Sequence, residues 1–120
     1  MHTPKGIHFI LEITTITNAY LDNVDAIRSI IIGAAEASKA TIIESFFHKF
    51  SPYGISGVVV IAESHFTVHT WPEHNYLAID VFTCGELLDP GAAVGYLCLA
   101  LEVKSIEVKK LYRGLPFSIK

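Results

Sequence analysis

The feature that most constrains the fold is a run of four predicted β-strands with short connections between them. β-Branched and aromatic residues dominate the four segments, which are 41–50 (TIIESFFHKF), 56–62 (SGVVVIA), 66–71 (FTVHTW) and 76–83 (YLAIDVFT). Parallel neighbours need crossover connections of about a dozen residues or more, so these strands must pair antiparallel. A turn at 51–54 (SPYG) separates the first two strands. Residues 63–65 connect the second and third strands and predict a tight hairpin.

Four further elements surround this run. Residues 6–13 (GIHFILEI) predict a strand. Residues 103–112 (VKSIEVKKLY) alternate between apolar and charged side chains, which predicts a strand with one solvent-exposed face. Asn18 or Asp22 is predicted to cap a helix that ends near residue 38. Its apolar stripe at helical spacing consists of Val24, Ile27, Ile31, Ala34 and Ser38. A second helix follows Asp89, has Pro90 in its first turn and ends near residue 101.

The resulting order is β-α-β-β-β-β-α-β within one domain of 120 residues. We expect an α+β fold, a two-layer sandwich of a mainly antiparallel sheet with two helices on one face. Two helices leave the other face of the sheet uncovered. Since 51% of the residues are hydrophobic and only 18% charged, we expect a homodimer that closes this face.

Charge and hydropathy exclude several classes of protein. The net charge is −3, which does not favour binding to nucleic acid. The first 13 residues lack the features of a signal peptide, and the apolar stretches are too short to cross a bilayer, so no membrane association is expected. Cys84 and Cys98 are too few for a secreted disulfide framework. We therefore expect free thiols and a cytoplasmic protein.

Reactive side chains concentrate between residues 56 and 84, and three interpretations compete. His65 and His69 are four residues apart, but on a strand this spacing spans about 13 Å, too far for one metal ion, so no metal site is predicted. Cys84 and His69 could meet across neighbouring strands as a nucleophile and its base. Ser64 in a tight turn needs no functional explanation on spacing alone.

Residues 46–86 favour a functional role for Ser64. The motifs HKFSPYGISG, AESHFTVHTWPE and DVFTCGE closely resemble the prokaryotic S-adenosylmethionine decarboxylases, and residues 21–43 agree more weakly. The resemblance implies a pyruvoyl-dependent enzyme that cleaves itself between Glu63 and Ser64 into residues 1–63 and 64–120. Ser64 would attack the Glu63 carbonyl, and elimination and hydrolysis would leave a pyruvoyl group at position 64.

The resemblance also implies roles for the surrounding residues. His69 corresponds to the histidine that assists self-processing, and Ser56 to a serine that supports it. Cys84 corresponds to the thiol that protonates the substrate after CO2 leaves. Phe50 is expected to contact the adenine and Glu73 the ribose of the substrate. An electrophilic carbonyl that forms a Schiff base with the substrate amine provides the electron sink that decarboxylation needs, as pyridoxal phosphate does.

The implied activity is decarboxylation of S-adenosylmethionine to the aminopropyl donor for spermidine and polyamine biosynthesis. The same pyruvoyl mechanism could instead act on L-ornithine or L-arginine, with Asp80, Glu73 or Glu86 aimed at the far end of the side chain. A non-catalytic partner subunit is a third possibility. The joint presence of Glu63, Ser64, His69 and Cys84 argues against it.

Overall fold

The structure, a computed structural model, describes residues 4–84 and 88–114. It confirms the predicted order of elements. The strands are β1 (Gly6–Thr15), β2 (Ile42–Lys49), β3 (Ile55–Ile61), β4 (Ser64–Trp71), β5 (Tyr76–Thr83) and β6 (Val103–Arg113). The helices are α1 (Val24–Ala37) and α2 (Pro90–Ala100), and a 3-10 turn (Pro72–His74) separates β4 from β5. In the part of the chain described, neither helix is long and apolar enough to span a membrane.

All six strands form one sheet in the order β2-β3-β4-β5-β1-β6, and every neighbouring pair is antiparallel. The four consecutive strands are neighbours because their connections are too short for crossovers. β1 lies between β5 and β6, so the first strand of the chain pairs with the last two. The predicted α+β sandwich is confirmed.

The core lies between the helices and one face of the sheet. Alternate residues of the central strands point into it, as the pleat requires, and the largest fully buried side chain is Phe66. α1 presents its predicted stripe, in which Ile27, Ile31 and Ala34 are fully buried. α1 also packs against α2, so both helices share a single core with the sheet.

The start of α1 differs from the prediction. The cap is Asn23, whose Oδ1 accepts the N–H of Ala26 at 3.0 Å, so the expectation of Asn18 or Asp22 was wrong. Asn18 donates its side-chain amide to the carbonyl of Pro72 at 3.3 Å. Asp22 accepts the N–H of Gly54 at 2.8 Å. Asn18 and Asp22 could each cap a helix, but both bind residues that are distant in sequence. Asn23 is the residue that caps α1.

The hairpin between β3 and β4 is tighter than predicted. Ile61 pairs with Ser64, so only Ala62 and Glu63 form the connection. Ser64 and His65 belong to β4 rather than to the turn, which corrects the expected connection at 63–65. A two-residue connection fixes the register of both strands.

The face of the sheet opposite the helices is mixed rather than simply apolar. Alternation along the strands places polar Thr67 and Asp80 on it together with Val58, Ile10 and Phe82. The expectation of an apolar uncovered face is therefore only partly right. These polar groups lie on β4 and β5, the strands next to the candidate site.

Candidate active site

Ser56 and His69 form a hydrogen-bonded pair on the uncovered face. They are direct cross-strand neighbours on β3 and β4, and Ser56 Oγ lies 2.7 Å from His69 Nδ1. The antiparallel register sets this contact, because opposite residues on one face lie within side-chain reach. The pair brings together two residues that the sequence singled out.

A cleft of about 280 Å³ adjoins this pair. Its walls carry three partly exposed aromatic rings, Phe50 (47%), Tyr53 (47%) and Trp71 (40%). Glu73, from the 3-10 turn, adds a carboxylate to the lining. The two residues predicted to bind substrate, Phe50 and Glu73, both line this cleft. Trp71 was not among the predicted site residues, although a tryptophan beside a proline at the end of a strand could have indicated it.

The other end of β4 contains the predicted cleavage site. Ser64 has a φ of 152°, in the region that favours glycine and is costly for a residue with a Cβ. Ser64 is the first residue of β4 and follows the two-residue connection directly. Backbone strain is therefore stored at Ser64, next to the peptide bond that joins it to Glu63.

Four hydrogen bonds hold Glu63. Its carbonyl oxygen accepts the backbone N–H of Cys84 at 2.9 Å and the thiol of Cys84 at 3.2 Å. Its carboxylate accepts the N–H of Thr41 at 3.1 Å and the hydroxyl of Thr41 at 3.5 Å. Two donors aimed at one carbonyl oxygen form the arrangement that stabilises negative charge developing on that oxygen.

These two groups of residues lie at opposite ends of β4. His69 is five residues beyond Ser64 on an extended strand, a separation of roughly 16 Å at about 3.3 Å per residue. His69 lies opposite Ala78, whereas Ser64 lies opposite Thr83, next to Cys84. Cys84 and His69 therefore do not meet across neighbouring strands of one chain, a contact that the sequence allowed. The candidate residues fall into two separate groups, Ser64 with Cys84 and Ser56 with His69, each of which we call a half-site.

A polar network lies on the uncovered face, between His69 and the start of β4. Asp80 accepts the hydroxyl of Thr67 at 3.2 Å, and His8 Nε2 lies 3.3 Å from Asp80 without hydrogen-bond alignment. Burial, reinforced by His8, lowers the pKa of His65. In residues 4–84 and 88–114, no three metal-ligating side chains lie close enough to hold an ion.

Comparison with known proteins agrees with this architecture. The family model described as S-adenosylmethionine decarboxylase matches residues 7–114, well beyond the motifs at 46–86. An S-adenosylmethionine decarboxylase proenzyme of Thermotoga maritima is 50% identical over 109 residues, which are 91% of this chain and 84% of that protein. One of Thermodesulfovibrio yellowstonii is 44% identical over 92% of this chain and 82% of that protein.

The fold has a counterpart among solved structures. The crystal structure of the adenosylmethionine decarboxylase from Aquifex aeolicus superposes with a TM-score of 0.84 at 33% identity, over 98% of both chains. Fold and sequence together assign the protein to the decarboxylases. The chain belongs to the S-adenosylmethionine decarboxylase family.

Proposed function

We propose that this chain is a proenzyme that cuts itself between Glu63 and Ser64 and then decarboxylates S-adenosylmethionine. The observation that carries the proposal is the geometry at the cut: a strained Ser64 follows a carbonyl that already accepts two hydrogen bonds from Cys84. The product would be the aminopropyl donor for spermidine and other polyamines. We expect the enzyme to act in the cytoplasm.

Self-cleavage requires Ser64 Oγ to attack the carbonyl carbon of Glu63. The new C–O bond replaces the C–N bond, the nitrogen takes up a proton, and the amide becomes an ester. Negative charge that develops on the Glu63 oxygen is stabilised by the N–H and thiol of Cys84. Release of backbone strain at Ser64 favours the rearrangement.

Position 64 also suits a pyruvoyl group. When formed, that group supplies an electrophilic carbonyl that accepts the electron pair left by CO2. It would lie at the start of β4, beside the thiol of Cys84. This thiol is exposed, so it is available to protonate the substrate carbon after decarboxylation.

His69 can assist only from a second copy of the chain. Its distance from Ser64 along β4 is roughly 16 Å, too far for proton transfer within one protomer. A two-fold axis that crosses β4 near Thr67 exchanges the two ends of the strand. It would place Ser56 and His69 of one protomer against Ser64 and Cys84 of its partner. A homodimer of cleaved protomers, packed through the uncovered faces, completes two such sites.

The cleft beside His69 favours S-adenosylmethionine over ornithine or arginine. The rings of Phe50 and Trp71 suit both a sulfonium cation and an adenine. The Glu73 carboxylate suits ribose hydroxyls. Ornithine or arginine would need a carboxylate aimed at the far end of the side chain; of the candidates, Asp80 accepts the Thr67 hydroxyl and Glu73 lies beside the aromatic rings of the cleft. Glu86, another candidate carboxylate, lies outside the described residues.

The test combines mass spectrometry with parallel assays of CO2 release. The purified protein should separate into residues 1–63 and 64–120, and the second piece should resist Edman sequencing because its blocked end has no amine. Ser64→Ala should stay intact. The matched control Ser105→Ala, which changes an exposed serine on β6, should cleave normally.

Three substrates are compared on fully cleaved enzyme. S-Adenosylmethionine should give the highest kcat/KM of the three. An intact wild-type chain that decarboxylates would refute the mechanism. A tenfold advantage for ornithine or arginine would refute the substrate. A cleaved chain that releases no CO2 from any of them would favour the non-catalytic partner subunit.

A further inference from the structure

The cleft beside His69 depends on the conformation of one loop, residues 50–54. This loop joins β2 to β3 and supplies Phe50 and Tyr53 to the cleft wall. The N–H of Phe50 donates to the carbonyl of Gly54 at 2.8 Å, which closes the loop on itself. Gly54 has a φ of 107°, a conformation that requires glycine. Both rings are about half exposed, so core packing does little to fix them.

The Asp22 carboxylate bridges both ends of this loop. Its Oδ1 accepts the N–H of Gly54 at 2.8 Å, and its Oδ2 lies 3.2 Å from Nζ of Lys49. Lys49 also donates to the carbonyl of Phe50 at 3.4 Å. Each carboxylate oxygen thus holds one end of the loop through a charge-assisted contact. The Gly54 N–H, aided by Lys49, lowers the pKa of Asp22, so the carboxylate is charged near neutrality.

Asp22 itself is fixed by the core. The preceding residue, Leu21, is fully buried. Its carbonyl accepts the hydroxyl of Thr70 at 2.7 Å, and Thr70 Oγ1 in turn accepts the N–H of Ile55 at 3.0 Å. The segment before α1 is therefore joined to both strands that flank the cleft. Asp22 connects a rigid support to an exposed loop.

We propose that Asp22 is a positioning residue that holds the loop at residues 50–54 and so sets the affinity for the adenosine part of the substrate. The proposal rests on the proposed function for the identity of the ligand. Asp22 contacts neither the reacting atoms nor the cleavage site. The loop adjoins the Thr70 end of β4, whereas Ser64 begins the other end. Loss of Asp22 should therefore weaken binding without slowing self-cleavage.

The experiment compares Asp22→Ala and Asp22→Asn with the matched control Asp25→Asn. Asp25 is an exposed carboxylate three residues further on, and it forms an ion pair with Arg28. Two readouts do not depend on catalysis. Peptide hydrogen exchange reports the order of residues 50–54, and fluorescence of Trp71, the single tryptophan of the chain, reports binding of 5′-methylthioadenosine. Self-cleavage, kcat and KM for S-adenosylmethionine complete the set.

Asp22→Ala should raise KM and the dissociation constant of methylthioadenosine about tenfold, with self-cleavage and kcat within about twofold of wild type. Exchange over residues 50–54 should accelerate. Asp22→Asn keeps an oxygen for the Gly54 N–H but loses the charge facing Lys49, so a rise of about threefold is expected. Asp25→Asn should behave like wild type.

An unchanged KM and unchanged exchange in Asp22→Ala would overturn the proposal. So would an equal loss of self-cleavage and binding, since that would indicate a role in general stability; Asp22→Asn decides the matter if Asp22→Ala does not fold. A wild-type enzyme that neither binds methylthioadenosine nor turns over S-adenosylmethionine would refute the proposed function. In that case hydrogen exchange still tests whether Asp22 holds the loop.

Discussion

The proposed site, built from two half-sites of different protomers, predicts that two inactive variants restore each other in a mixed dimer. In the proposed mechanism, Ser64→Ala cannot form the pyruvoyl group and His69→Ala lacks the processing base. In a mixed dimer, one of the two sites combines Ser64 from the second variant with His69 from the first. The other site contains both substitutions. One working site per mixed dimer is therefore expected.

The magnitude follows from the geometry of β4 and from the symmetry of the dimer. Ser64 and His69 are roughly 16 Å apart within a chain, while proton transfer needs heavy atoms within about 3 Å. Neither homodimer can then contribute. Random assortment gives half mixed dimers, each with one of two sites intact, so the co-expressed mixture should show about one quarter of wild-type activity.

The assay uses different affinity tags on the two variants and measures CO2 release after tandem purification. Mixed dimers isolated in this way should reach about half of wild-type activity. The matched control pairs Ser64→Ala with Cys84→Ala. These residues belong to the same half-site, so no mixed dimer has an intact site. Inactive Ser64→Ala/His69→Ala mixed dimers, or equal recovery in the control pair, would refute the two-copy site.

Three further predictions concern single residues. Cys84→Ala removes the thiol donor from the Glu63 carbonyl but keeps the backbone N–H, so self-cleavage should slow by about tenfold or less on a gel time course. Without the proposed proton donor, the proton should also reach the former pyruvoyl carbon, so that the substrate amine stays there as an alanine end and hydrolysis releases the substrate as an aldehyde; mass spectrometry detects this end, and full turnover without inactivation would contradict it. Gly57→Ala brings a Cβ against the ring of buried Phe47, and should lower the free energy of unfolding by about 1–3 kcal/mol in urea titrations; an unchanged midpoint would contradict the packing. Burial lowers the pKa of His65 below 6.5, so the unfolded chain binds the proton more readily and folding stability should fall as pH drops through 6.5. His65→Asn should flatten that slope in melts between pH 5 and 7, and an identical slope would contradict it.

The elements were predictable because their patterns are local and consistent. Period-two alternation located β5 at its observed ends, and Asp89 with Pro90 marked the start of α2. The cap of α1 was not predictable, because Asn18, Asp22 and Asn23 have the same local preference. Contacts with Pro72 and Gly54, distant in sequence, decide between them.

The sequence singled out the residues of the proposed site but not their arrangement. Ser64 and His69 are close in sequence, which suggests one site. An extended strand, however, has a large rise per residue and places them roughly 16 Å apart. The contact between Ser56 and His69 depends on a register that the two-residue connection sets. The two hydrogen bonds from Cys84 to the Glu63 carbonyl join residues 21 positions apart, and no local pattern indicates them.

The strand order has a consequence for the molecularity of folding. Cleavage after Glu63 would assign β1, β2 and β3 to one chain and β4, β5 and β6 to the other. The sheet then has three inter-chain seams, at β3/β4, β5/β1 and β1/β6, and β1 is enclosed by strands of the other chain. The pieces cannot separate without breaking the sheet. Unfolding of the cleaved protomer is therefore a dissociation, and recovery of its fold becomes concentration-dependent, whereas uncleaved Ser64→Ala can refold each protomer as one chain.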